Sequence, residues 1–139
     1  MLKYYHGSDV DSINDIYNNG ADVTKGGGEL GQGFYVGSSM WRASSWAWHQ
    51  AKKRNKNYGV IEYDINEKGI LNLDLLCKNR RSTLQYYRNL KKKKNFKVKL
   101  NHDVVWAPIV GMNIKDVYQM KFESEKGQDF INNQNKTIL

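Results

Sequence analysis

At 139 residues the chain has the length of one domain, 1–139, enough to close a core without disulfides or metals, and its single cysteine, Cys77, excludes an internal disulfide and any cysteine-rich metal site. Hydrophobic residues at 40% and aromatics at 12% exclude a disordered chain, and no apolar run approaches membrane-spanning length. The net charge of +8 is concentrated in the middle: residues 51–100 hold 15 Lys/Arg against 4 Asp/Glu, whereas the flanking segments are slightly acidic.

In chain order, Leu2–His6 alternates as a short strand with Tyr4 and His6 on one face. Met1-Leu2-Lys3 runs at once into Tyr4-Tyr5-His6 without a secretory signal pattern, so the expectation is a cytoplasmic protein that would need delivery to act in another cell. Asp9 or Asp11 caps a predicted helix through Ile13, Ile16 and Tyr17 that stops at Asn18-Asn19-Gly20. The polar segment Ala21–Gly33 reads as a loop, made mobile by its consecutive glycines 26–28, and Phe34–Val36 as a strand. Ser38 or Ser39 caps a helix to about Lys53, with Trp41, Ser45, Trp48 and Lys52 on one face and Ala43, Trp46, Ala47 and Gln50 on another.

Beyond it, Tyr58–Ile65 alternates as a strand and Ile70–Leu73 is a short apolar run of strand type. Asp74 caps a predicted helix over Leu75–Lys93, basic in its later part. Val104–Val110 reads as a strand in which Pro108, the single proline, marks an edge or a bulge. Lys115–Phe122 reads as helix and Gln128–Asn132 as a final strand. Short strands around a few helices, without regular βαβ alternation, predict an α+β fold. Cys77 is expected to be a small core residue.

Three basic segments, Lys52–Lys56, Lys78–Arg81 and Lys91–Lys94 followed by Lys97 and Lys99, form either a solvated face or a patch that attracts phosphates or an acidic protein. Gly26–Gly33 lacks the Gly-Lys-Ser/Thr ending of a phosphate loop and precedes a strand, which excludes a dinucleotide-binding turn of the doubly wound type. His6, His49 and His102 have no carboxylate or cysteine at metal-ligand spacing, so no metal is expected. The remaining signal is a strand ending in His6-Gly7, a glycine-rich approach to Tyr35, and a helix carrying Trp46, which together outline a pocket for a flat aromatic ring.

Tyr5-His6-Gly7, Gly31-x-Gly33-Phe34-Tyr35 and Ala43-x-x-Trp46-Ala47, followed by Tyr63-Asp64-Ile65, His102-Asp103-Val104-Val105 and Gln128-x-Phe130, resemble ADP-ribosyltransferases of the diphtheria-toxin and poly(ADP-ribose) polymerase-like class, which share a His-Tyr-Glu triad. The likeness spans essentially the whole chain and is greatest to small bacterial and phage toxin-like members with a variant third residue. It implies a split β-sheet gripping NAD⁺ as substrate, without a metal. His6 would bond the adenosine ribose, Gly7 would offer its backbone to the nicotinamide carboxamide, Tyr35 would stack on the ring and Trp46 would form the opposite wall. Ser8, Gly33 and Ala43 would line the same site, Ala43 standing where the polymerases often carry a serine. The third triad position is assigned to Gln128, with Asp129 second and Glu123 or Glu125 further alternatives.

A glutamine orients a hydroxyl but cannot take its proton, so the resemblance implies single transfer of ADP-ribose to a macromolecule rather than polymer synthesis. The acceptor would be an acidic protein or a nucleic acid met by basic residues 51–100, and a cognate antitoxin is a further expected partner; no membrane is involved. The alternatives are an NAD⁺ glycohydrolase, a catalytically decayed module binding NAD or nucleic acid, and an NAD⁺-dependent RNA phosphate-removing enzyme, which carries a second histidine where this chain has Tyr35.

Overall fold

The computed structural model describes residues 2–111 and 116–139. The chain begins with β1 (Leu2–Asp9) and α1 (Val10–Asn19), where Asp9 ends the strand and caps the helix by accepting a hydrogen bond from Ser12 N–H. A two-residue hairpin, β2 (Gly27–Gly28) and β3 (Gly31–Gln32), precedes β4 (Phe34–Gly37). Ser39 caps α2 (Met40–Lys53), which is followed by β5 (Tyr58–Ile65) and α3 (Glu67–Leu71). The second half runs β6 (Leu75–Cys77), α4 (Arg80–Lys93), β7 (Val104–Pro108), β8 (Tyr118–Phe122), α5 (Glu125–Asn132) and β9 (Asn135–Ile138).

Seven strands form one mixed sheet in the order β6-β7-β8-β4-β1-β5-β9, all neighbours antiparallel except β6 and β7. The α+β class expected from the sequence is what the chain adopts. One face of the sheet carries the main core, where Tyr4, Phe34, Ile61, Tyr63, Val104, Met120 and Phe122 meet Ile13 of α1, Ile70 of α3 and Ile131 of α5. On the other face α2 lies over β1 and β5 through Ala47 and Ala51, and a smaller cluster of Leu30, Val105 and Ala107 packs with Tyr35, Leu76 and Leu100.

Several local expectations are corrected. Gln128–Asn132 is not a strand but part of α5: the Ser124 hydroxyl accepts from Gly127 N–H at 2.9 Å, and Phe130 stacks on Phe122. The segment expected to be helix from Lys115 to Phe122 contains β8; Lys115 itself lies outside the described residues. Ile70 and Leu71 belong to a helix, started by the Asn66 side chain. The helix expected from Leu75 begins only at Arg80, capped by Asn79, because Leu75–Cys77 pairs in parallel with Val104–Trp106. Pro108 is not a bulge residue; it closes β7 beyond the last β6 pair, Cys77↔Trp106, so its side away from β8 is locally an edge where the missing N–H interrupts no ladder. Cys77 is exposed rather than a core residue. Among the described residues no helix is long and apolar enough to cross a membrane.

Candidate functional site

The sheet is joined unevenly. β1 pairs with β5 along its whole length, from Leu2↔Ile65 to Asp9↔Tyr58, but with β4 at a single position, Tyr5↔Gly37. Past that pair the ladder stops, so the hydrogen bonding falls into two halves, β6-β7-β8-β4 and β1-β5-β9, with a gap in the ladder beside His6, Gly7 and Tyr35.

Backbone alternation tells which groups look into the gap. Val10 N–H donates to Asn57 C=O at 2.8 Å in continuation of the β1–β5 register, so the even-numbered residues of β1 hold the hydrogen-bonded positions toward β5. The odd-numbered ones turn their N–H and C=O the other way. Tyr5 uses that side to meet Gly37; Gly7, two residues on, directs its N–H and C=O into the gap, with no ladder partner in β4. The Tyr35 carbonyl that continued pairing would bring to Gly7 is taken by the His6 ring, whose Nδ1 lies 2.6 Å from it. A carbonyl only accepts, so Nδ1 carries the proton. Burial lowers the His6 pKa below 6.5, keeping the ring neutral with its lone pair on Nε2. The ring is fixed further by stacking on Phe34, centroids 4.4 Å apart.

Gly7 is tightly placed on its other side. A Cβ there would stand 2.2 Å from the Ala43 carbonyl oxygen and 2.8 Å from Ala47 Cβ, so α2 can lie on β1 only if this residue is glycine. Ala43 thus reaches the site through its backbone. Trp46, about one turn further along α2, is 57% exposed. The Ser8 hydroxyl turns to Asp9, and Gly33 is a packing glycine, where a Cβ would meet Lys121 Cγ at 2.4 Å.

Tyr35 lies on the face covered by the glycine-rich segment. Its hydroxyl accepts from Leu30 N–H at 3.0 Å and donates to Gly31 C=O at 2.5 Å, and a Cβ on Gly28 would come within 3.0 Å of its ring. Burial pushes its phenol pKa well above 10, so it stays a neutral donor. The segment expected to be a mobile loop is instead strapped down. Glu29 accepts from Val110 N–H at 2.9 Å and from Gly111 N–H, the Lys121 ammonium donates to Leu30 C=O at 2.7 Å, and Gln32 N–H donates to Val98 C=O at 2.8 Å. Since α2 covers β1 while this segment covers β4 and β8, the boundary between the two coverings runs above the gap.

Of the residues assigned to the third position, Glu123 lies close enough to Tyr35 for its charge to help raise the phenol pKa, while Gln128, Asp129 and Glu125 stand on α5. Gln128 sits on α5 with its Oε1 accepting from Val23 N–H at 3.0 Å, a structural tie for the segment after α1, and Asp129 is exposed on the same helix, as is Glu125. Glu123 is buried and fully engaged: it accepts from Leu100 N–H at 2.9 Å and Asn101 N–H at 2.6 Å and pairs with Lys121, whose pKa burial lowers.

Gln119 is a polar residue of this face that the sequence reading did not single out. The register Tyr35↔Lys121 and Gly37↔Gln119 puts Gln119 on the Tyr35 face, its Nε2 donating to Glu29 at 3.0 Å and to Pro108 C=O at 3.2 Å. Reading Tyr118–Phe122 as a strand would have found it. Among the described residues no group of His, Cys, Asp and Glu is arranged to hold a metal ion. The chain matches no protein-family model and no curated protein sequence.

Proposed function

We propose that the chain is a mono-ADP-ribosyltransferase, which breaks the nicotinamide–ribose bond of NAD⁺ and passes ADP-ribose to a macromolecular acceptor. The observation that carries this reading is the pair of Gly7 backbone groups directed into the gap beside His6 and Tyr35. A carboxamide offers one acceptor oxygen and an NH₂ donor, the complement of a peptide N–H and C=O on one strand edge. His6, neutral and held by the Tyr35 carbonyl, has Nε2 left to accept from a ribose hydroxyl.

The Tyr35 ring would stack on nicotinamide once Gly28 moves off it, so binding is coupled to a shift of the strapped segment. Breaking the bond leaves positive charge on the ribose and releases neutral nicotinamide, so the protein's task is alignment and exclusion of water. Gln119 replaces Gln128 and Asp129 as the proposed third residue, because it shares the Tyr35 face and they do not. It can orient a ribose hydroxyl but cannot take a proton, which favours single transfer.

A second reading, NAD⁺ binding without turnover, is favoured by the engagement of Glu29 and Glu123 with backbone N–H groups, which leaves neither as a base for an acceptor or for water. Incubation with NAD⁺ labelled in its adenylate and a cell lysate, followed by protease or nuclease digestion, separates the outcomes. Transfer leaves label on a digestible macromolecule, hydrolysis leaves free ADP-ribose, and no turnover removes both enzyme readings. Tyr35→Ala and His6→Ala should each abolish labelling and Gln119→Ala should reduce it; an effect of Gln128→Ala alone would restore the earlier assignment.

A further inference from the structure

We infer that the open groove between the end of α2 and the start of β5 binds single-stranded nucleic acid. The groove, of about 690 Å³, is lined by Trp48, Lys52, Asn55, Lys56, Asn57 and Tyr58. Two of its walls are aromatic rings left in solvent, Trp48 at 46% and Tyr58 at 49% exposed. Trp41, the most exposed tryptophan at 69%, lies on the same stripe of α2, seven residues before Trp48. A helix anchored by alanines, as α2 is by Ala47 and Ala51, has no packing need for large rings on its outer flank.

Charge complementarity selects the occupant. α2 contains no acidic residue and ends in Lys52 and Lys53, with Arg54 as its C-cap. The Lys52 ammonium stands over the Trp48 ring, 4.7 Å from its centre, so a base that stacks on that face displaces the cation toward its own phosphate. Arg54 is committed to the buried Asp9, while Lys56 meets Asp11 in a solvent-exposed pair at 2.8 Å that a phosphate can replace. Bases stack on exposed aromatic faces and phosphates follow the cations beside them, the arrangement by which single strands are held without sequence readout. Asn55 and Asn57 add side-chain amides that can bond base edges. Protein interfaces, by contrast, are depleted in lysine at their cores, and here lysine lines the groove itself. The flat duplex exterior offers no base face to Trp48, so double-stranded nucleic acid is the poorer ligand.

This site is separate from the His6–Tyr35 gap, and its test needs no NAD⁺. Fluorescence anisotropy with labelled oligothymidylate and oligouridylate of about a dozen nucleotides, and a duplex of similar length, is measured in about 50 to about 200 mM salt. Both single strands should bind more tightly than the duplex, and the tighter of the two identifies DNA or RNA as the source. Trp48→Ala should weaken binding about tenfold or more without changing the salt slope, Trp48→Phe should keep most of the affinity, and Lys52→Gln should reduce the slope by about 0.7. Circular dichroism confirms that each variant is folded. The inference is overturned if neither strand binds in low salt, if the duplex binds equally well, or if substituting Lys91–Lys94 abolishes binding while Trp48→Ala leaves it unchanged. Capture of a protein through Trp48, with no oligonucleotide bound, would also overturn it.

Discussion

Replacing Tyr35 by phenylalanine separates two roles that one residue combines. The ring remains, but Leu30 N–H loses its acceptor at 3.0 Å and Gly31 C=O loses its donor at 2.5 Å. Leu30 is fully buried, so its N–H has no water to turn to. A buried donor left without a partner costs about 1–3 kcal/mol. In a domain of this size that corresponds to a fall of about 3–10 °C in Tm. Amide exchange should accelerate at Leu30–Gly33 while the β1–β5 ladder stays protected. NAD⁺ turnover, if the proposed function holds, should survive or rise in Tyr35→Phe, because the stacking ring is kept and the segment over it is loosened, whereas Tyr35→Ala should lose it. Unchanged melting and unchanged exchange at Leu30–Gly33 would refute the argument that the phenol straps the segment down.

The remaining predictions concern neighbouring residues. Gly7→Ala should destabilise by about 2–3 kcal/mol in urea titration, because the new Cβ meets the Ala43 carbonyl on the α2 backbone, and a second change, Ala47→Gly, should not restore it. His6 has a folded pKa lowered by burial, so its contribution to stability is fully present above about pH 6.5 and lost as pH falls below that toward the folded value; urea midpoints should decline more steeply from about pH 7 to 5 in the wild type than in His6→Gln. Asp9→Ala should cost about 2 kcal/mol in thermal denaturation through loss of the α1 cap and of the Arg54 partner, and Asp9→Asn should recover the cap alone.

Much of the first half of the fold was legible because its elements carry their own signals. α1 and α2 have side-chain caps at Asp9 and Ser39, and Tyr58–Ile65 alternates although it is paired on both sides, with β1 and β9. The second half is harder for a physical reason. β8 is buried at Gln119, Met120, Lys121 and Phe122 in succession, so both its faces are covered and the period of two disappears. Lys121 in particular occupies a fully buried position where sequence patterning expects an apolar residue, its ammonium satisfied by Leu30 C=O and Glu123, groups distant or unremarkable in sequence.

Reading Tyr118–Phe122 as helix also kept Gln119 out of view on the Tyr35 face, and the assignment of Gln128 rested on the resemblance alone. His6, Gly7 and Tyr35 were legible as local motifs; the His6 ring meets the Tyr35 carbonyl, while the Tyr35 side chain lies on the opposite face of the sheet from the His6–Phe34 stack. The exposure of Trp46 and the strapping of the glycine-rich segment were not, since both depend on how α2 and the Val98–Asn101 segment are laid over the sheet.

The single Tyr5↔Gly37 pair has a mechanical consequence. Sheets usually unfold as one cooperative body because every ladder props up its neighbour. Here, hydrogen bonding across the seam is nearly absent, and the two halves are held together chiefly by the core on one face and by chain connections such as α2. The seam is therefore where the molecule should fail first under denaturant or load, each half retaining protection of its own for a time. A small molecule bonded to Gly7 on one side and seated on Tyr35 on the other would act as a rivet across that seam, merging two exchange units into one.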